Sequence, residues 1–274
     1  SVMRLLPRPI GKITGGSIHF GVKDLLKIIP DEMRQVRGNE IGMIFQEPMN
    51  ALNPVRSIGD QISESFLLHQ DITHKEAWQK SIEMLEEVGI PAPENRVFEY
   101  PHQLSGGMRQ RVVIAIALAC KPRLIIADEP TTALDVTVQS QILDLLQSLK
   151  EKLGSSVLLI THDLGVIAET CDEVCVMYAG RMVERAPVKE LFASPVHAYT
   201  RGLLSSIPRL DGIPKTELST IDGMVPSLSE LNSGCRFAPR SGSEHTMEQL
   251  EKRPPFIEIN SGHWVEACPV CSSP

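Results

Sequence analysis

Residues 104–135 constrain the chain more than any other stretch. They read LSGGMRQRVVIAIALACKPRLIIADEPTTALD. A Ser105-Gly106-Gly107 turn opens a segment with Val112, Ala115, Ile116 and Ala119 at helical spacing. Lys121-Pro122 breaks it, and Leu124-Ile125-Ile126-Ala127 follows as a short buried strand ending in Asp128-Glu129. Acidic residues at the C-terminal end of a parallel strand lie where open α/β sheets bind ligands. A Ser-Gly-Gly turn at a helix N-terminus offers unpaired amides and the positive end of the helix dipole to an anion. Asp128 has the chemistry to hold Mg²⁺, and Glu129 that to polarise an attacking water. Singly, a plain turn and a helix cap would explain these features. In this order, and this close together, they point to phosphate chemistry.

At this point a resemblance is visible. Leu104, Ser105, Gly106, Gly107 and Met108, continuing into Arg109-Gln110-Arg111, resemble the signature motif of ABC-transporter ATPases. Leu124–Glu129 resembles their Walker B strand, and Ala133-Leu134-Asp135 their D-loop. The resemblance implies a P-loop NTPase-like α/β fold with a helical signature subdomain at about residues 55–105. It also implies ATP and Mg²⁺ as ligands. The signature would act in trans, on ATP held by a second subunit.

The remaining motifs fit that order. Ile41–Phe45 is an apolar strand followed by Gln46, in the loop QEPMNALNP. Position and wording resemble the Q-loop of peptide-importer ATPases, which implies that Gln46 senses Mg²⁺ and the γ-phosphate. Residues 58–89 read as two helices parted at 70–73, with Thr73 and Glu76 spaced as a capping box. Residues 136–152 carry Val138, Ile142, Leu145, Leu146 and Leu149 on one helical face. Ser156–Ile160 reads as the next buried strand, ending in Thr161-His162-Asp163. The resemblance makes His162 the switch histidine that contacts the γ-phosphate and the attacking water. Asp163 is expected to cap the helix 164–170. A hairpin is expected around Ala179-Gly180, with Cys171 and Cys175 as buried thiols. Residues 1–6 read as the end of a helix, and 24–37 as a charged helical stretch.

From residue 194 the chain resembles the C-terminal extension of dipeptide and oligopeptide importers. The expected division is therefore an ATPase part over 1–193 and an irregular extension over 194–274. In many relatives that extension carries four cysteines for an iron–sulfur cluster. Here Cys235 and Cys268 match two positions, Ser241 stands at another, and Cys271 is additional. Three thiols do not complete a four-cysteine cluster. His245 or His263 could in principle complete a Cys₃His zinc site, but C-x₃₂-C-x₂-C is not a recognised zinc spacing. The expectation is a metal-free tail with reduced thiols.

Net charge is −7 and aromatic content 4%, which speaks against a nucleic-acid partner. No apolar run approaches the ~18 residues of a membrane span. The resemblance implies a peripheral protein on the cytoplasmic face of the inner or plasma membrane. Its partners would be a second ABC ATPase subunit, identical or related, and two transmembrane permease subunits, with an extracytoplasmic peptide-binding protein acting indirectly. The implied role is to power peptide import by ATP hydrolysis. Import of nickel, opines or sugars is the alternative within the same subfamily. No G-x-x-x-x-G-K-[ST] occurs in the 274 residues, and Gly11-Lys12 lacks the preceding glycine. The expectation at this point is a chain that opens just past the Walker A lysine. Alone it would bind Mg-ATP weakly or not at all, and an inactive fragment is the other alternative.

Overall fold

The computed structural model describes residues 2–7, 9, 11–132, 134–207 and 220–272. It divides into two compact units, Ser1–His162 and Asp163–Pro274.

In the first unit a two-stranded antiparallel hairpin, β1 (His19–Phe20) and β2 (Lys23–Asp24), precedes a parallel three-stranded sheet. Its strands are β3 (Ile41–Ile44), β4 (Leu124–Asp128) and β5 (Ser156–Ile160), in the order β3-β4-β5. The run Leu-Ile-Ile-Ala makes β4 the central strand, because both of its faces are covered. Ile125 and Ala127 share a core with Ile44, Ile58, Ile62, Phe66, Leu85, Ile114 and Ile142. β5 departs from the expected buried strand. As the edge of this sheet it turns Val157 and Leu159 toward the core and leaves Leu158 and Ile160 exposed.

The helices fall where periodicity places them. Ile58–His69 and His74–Glu87 are separate helices. The second starts in a capping box: Thr73 N donates to Glu76 Oε2 at 2.7 Å, and Glu76 N donates to Thr73 Oγ1 at 3.3 Å. Both pack on the helix Gly106–Leu118. Val136–Leu153 adds Ile142, Leu146 and Leu149 to the same core. Two expectations near the start do not hold. Residues 2–6 contain no helix, and the charged stretch becomes helical only over Pro30–Val36. Proline fits the first helical position. Upstream, the Asp24 carboxylate accepts from Ile18 N and Leu26 N, which fixes a turn in place of a helix.

The second unit is built on an antiparallel sheet, β6-β7-β9-β8. β6 (Glu173–Tyr178) and β7 (Arg181–Pro187) form the expected hairpin. Ala179 and Gly180 both take positive φ, which matches the right-handed twist of the strands. β8 (Phe256–Asn260) and β9 (His263–Glu266) come from the tail, in a stretch expected to be irregular. The thiols of Cys171 and Cys175 are not buried. β6 turns Val174, Val176 and Tyr178 inward, so the alternation puts Cys175 on the outer face, and Cys171 is partly exposed.

Candidate functional site

The parallel register sets the site. Ile44 lies beside Ala127, and Asp128 beside Ile160. Gln46, Glu129 and His162 each follow one of these three strand ends and therefore meet at one edge of the sheet. Gln46 Nε2 donates to Glu129 Oε2 at 2.9 Å. Thr132 Oγ1 donates to the same oxygen at 2.8 Å. His162 Nδ1 lies 3.3 Å from Glu129 Oε1.

Glu129 is held in the left-handed backbone region at φ 46°. That conformation costs a non-glycine residue roughly 1–2 kcal/mol. The Glu129 amide donates to Ile160 O at 2.9 Å and helps to secure it. Hydrogen bonds from Thr132 and then His162, with a smaller one from Gln46, hold the Glu129 carboxyl below the ordinary carboxylate range. The carboxylate is thus ionised near neutral pH. Two carboxylate oxygens offer about four acceptor positions, so one remains for a water. Glu129 is three-quarters covered, with 25% side-chain exposure, whereas His162 stands out at 78%. The imidazole can therefore turn toward a ligand, while the carboxylate stays fixed.

Asp128 ends β4 beside this group. Among the described residues its carboxylate accepts no hydrogen bond and forms no ion pair. A free carboxylate at a strand end suits a hard, oxygen-seeking cation, so the residues present fit Mg²⁺.

The glycine turn lies at the start of the helix Gly106–Leu118. Ser105 caps it: Oγ accepts from Met108 N at 3.3 Å. The cap leaves the first amides of the helix, at Gly106 and Gly107, without an intrahelical partner. The two glycines differ. A Cβ on Gly106 would meet nothing within 4 Å, whereas one on Gly107 would lie 2.9 Å from Val138 Cγ1. Gly106 keeps an open backbone surface, and Gly107 permits close packing against the helix Val136–Leu153. The Leu104 side chain is buried in the core, and Met108 packs at its edge. Asp135 caps the helix Val136–Leu153 by accepting from Val138 N at 2.9 Å. Ala133 lies outside the described residues.

Comparison with known proteins places this arrangement. Residues 2–132 match the ABC transporter family, and residues 183–245 match the oligopeptide/dipeptide transporter C-terminal region. A putative peptide import ATP-binding protein of Brucella melitensis is 52% identical over 274 residues, covering 96% of this chain and 80% of that protein. The chain belongs to the ABC transporter ATP-binding family. The oligopeptide transport ATP-binding protein OppD of Bacillus subtilis is 49% identical, over 97% of this chain and 74% of its own length. Among solved structures, the dimeric post-hydrolysis ATP-binding cassette MJ0796 bound to ADP and Pi is 28% identical with a TM-score of 0.58, covering 65% of this chain and 76% of that one. CbiO1 of Clostridium perfringens is 31% identical with the same TM-score, over 68% and 71%.

In this ABC ATPase fold the residues named from the sequence form three groups. Gln46, Glu129 and His162 meet, with Asp128 beside them. Ser105, Gly106 and Gly107 form a separate helix start. Cys235, Cys268 and Cys271 meet in the second unit, buried, and His245 joins them. His263 does not. It is buried against Glu184, with Nε2 2.8 Å from Glu184 Oε1. Thr132 was not singled out from the sequence. The available signal was a hydroxyl three positions after Glu129, within reach of it in a one-turn bend.

Proposed function

We propose that this chain is the ATP-binding and ATP-hydrolysing subunit of an importer of di- or oligopeptides, peripheral on the cytoplasmic face of the membrane. The convergence of Gln46, Thr132 and His162 on one ionised carboxylate, Glu129, carries this reading. A carboxylate held by three donors, with acceptor capacity remaining, is suited to take a hydrogen bond from the water that attacks a γ-phosphate. Gln46 and Thr132 fix its orientation. His162 lies beside it on a more exposed side chain, suited to reach the phosphate and the water. Asp128 is the residue that would hold Mg²⁺, which supplies charge neutralisation on the phosphate oxygens.

The helix start at Ser105–Gly107 would face ATP held by a second ABC ATPase subunit, with Leu104 and Met108 packed to support it and Asp135 capping the helix Val136–Leu153, against which Gly107 packs. Open amides and an unobstructed Gly106 favour contact with an anion. Residues 1–193 would form the ATPase part and 194–274 the extension. Two permease subunits would complete the transporter, and an extracytoplasmic binding protein would deliver peptide to them. The curated relatives named for peptide import support the choice of solute over nickel, opines or sugars. No helix among the described residues is long and apolar enough to cross a membrane, which agrees with a peripheral subunit.

The test is uptake of a labelled dipeptide and a labelled oligopeptide in cells whose chromosomal copy carries Glu129→Gln. Uptake of at least one should fall to background, with nickel and sugar uptake unchanged. Normal peptide uptake together with lost nickel or sugar uptake would reassign the solute.

A further inference from the structure

We propose that Cys235, His245, Cys268 and Cys271 form a closed mononuclear Cys₃His site for zinc, which fastens the second unit together. It is independent of the nucleotide site.

The geometry points to one ion. The four ligand atoms all lie within 4.8 Å of one another. Cys235 Sγ is 3.6 Å from Cys271 Sγ. His245 Nε2 is 3.5 Å from Cys268 Sγ and 3.4 Å from Cys271 Sγ. Zn–S bonds of about 2.3 Å and Zn–N bonds of about 2.0–2.1 Å give tetrahedral edges of about 3.8 Å (S···S) and about 3.5 Å (S···N). These three edges agree with those lengths to a few tenths of an ångström, and the remaining pairs lie within 4.8 Å. In a four-iron cluster each thiolate sits on its own iron, which spreads the sulfurs around a larger centre. Four donors this close share a single ion, and three thiolates with one imidazole in tetrahedral array select zinc.

A second observation concerns the imidazole. His245 Nδ1 lies 3.1 Å from Ser243 O. A carbonyl can only accept, so Nδ1 carries the hydrogen and Nε2 presents its lone pair to the three sulfurs. Metal-bound histidines are oriented in this way by an acceptor on the other nitrogen. The nearby Ser241 hydroxyl is occupied elsewhere: its Oγ donates to Ala238 O at 3.0 Å.

The backbone brings the ligands together from three segments. Gly234 N and Cys235 N donate to Leu250 O and Gln249 O, each at 2.9 Å. This pairing ties Cys235 to the short helix Met247–Glu251, whose N-cap, Thr246, adjoins His245. Gly234 is needed there, since a Cβ would overlap the Gln249 carbonyl. Cys268 and Cys271 form a C-x₂-C turn closed by Ser272 N donating to Cys268 O at 2.9 Å. Cys271 O also accepts from Ala198 N, at the start of the helix Ala198–Ser205. One ion would therefore join segments that share little regular structure. With four protein ligands and no open position, the site is structural.

The test is the metal content of the whole chain purified under reducing conditions. One zinc per chain is expected, without iron or acid-labile sulfide. Cobalt substitution should give thiolate-to-cobalt charge transfer and the intense d–d bands of a tetrahedral site. His245→Ala should lose zinc at a chelator concentration that the wild type withstands, and His245→Cys should regain it. Should His245→Ala fold poorly, chelation of the wild type gives the same reading: protease cleavage within 235–272 should rise and reverse when zinc is restored. Stoichiometric iron with sulfide, a Cys235–Cys271 disulfide in the reduced preparation, zinc retention unchanged by His245→Ala, or protease resistance indifferent to chelation would each overturn the proposal.

Discussion

Gln46 Nε2 donates to Glu129 Oε2 across 2.9 Å, joining residues 83 positions apart in the chain. The parallel pairing of β3 with β4 makes this contact possible. It links the loop after one strand to the carboxylate after the next. Gln46→Ala removes one orienting donor and leaves Thr132 in place. ATP turnover in the assembled transporter should fall, by less than the loss from Glu129→Gln. Steady-state phosphate release measures the ranking, and an equal loss in both variants would give Gln46 a larger role than orientation.

Thr132 is the principal donor that lowers the Glu129 pKa. On the proposed role of Glu129 the carboxylate form is the base, so activity should be present above that pKa and lost as pH falls through it. Thr132→Val removes the donor, raises the pKa toward its ordinary value, and should move the acidic limb of the pH–rate profile to higher pH. An unmoved acidic limb in the variant would show that Thr132 does not tune Glu129.

Gly106→Ala and Gly107→Ala should separate function from packing. Alanine at 107 meets Val138 and should destabilise the fold by about 1–3 kcal/mol in urea titration. Val138→Ala in the same chain should recover part of that loss. Alanine at 106 meets nothing within its own chain, so stability should hold while turnover in the assembly drops. Full turnover by Gly106→Ala would remove this turn from the proposed interface.

Glu184 is completely buried in the second unit. It accepts from Val196 N at 2.8 Å and His197 N at 3.0 Å, and faces His263 Nε2. Glu184→Ala leaves these partners unmatched and should cost about 3–5 kcal/mol. Trp264 on β9 reports unfolding of this unit, since β9 pairs with β7 at Glu184 and Arg185. A change below about 1 kcal/mol, the range of an exposed pair, would show that the network carries little stability.

Much of the first unit was legible in sequence. β4 and β5 lie where apolar runs ended by acidic or His-Asp residues placed them. The Thr73–Glu76 box marks its helix start. Asp163 caps the helix Leu164–Thr170, as expected from its position after a strand end. Three of the errors share a physical origin, because each depends on distant partners. Cys175 faces outward because its strand alternates against a core that Phe237 helps to build from far along the chain. The β8–β9 hairpin is a short run in a polar tail, and it is set by pairing with β7. β5 is an edge strand, a property of its neighbours and not of its own residues. The meeting of Gln46, Glu129 and His162 at one sheet edge follows from motif order, since each comes just after a strand end. Thr132 was not, because its role is one hydrogen bond.

The most direct measurement is phosphate release by the assembled transporter carrying Glu129→Gln in this chain. The amide keeps the side chain's size and loses the base, so hydrolysis at this site should fall by about 10²–10⁴-fold, the usual contribution of a general base. Turnover within a factor of two of wild type would contradict the assignment of Glu129 as the residue that activates water.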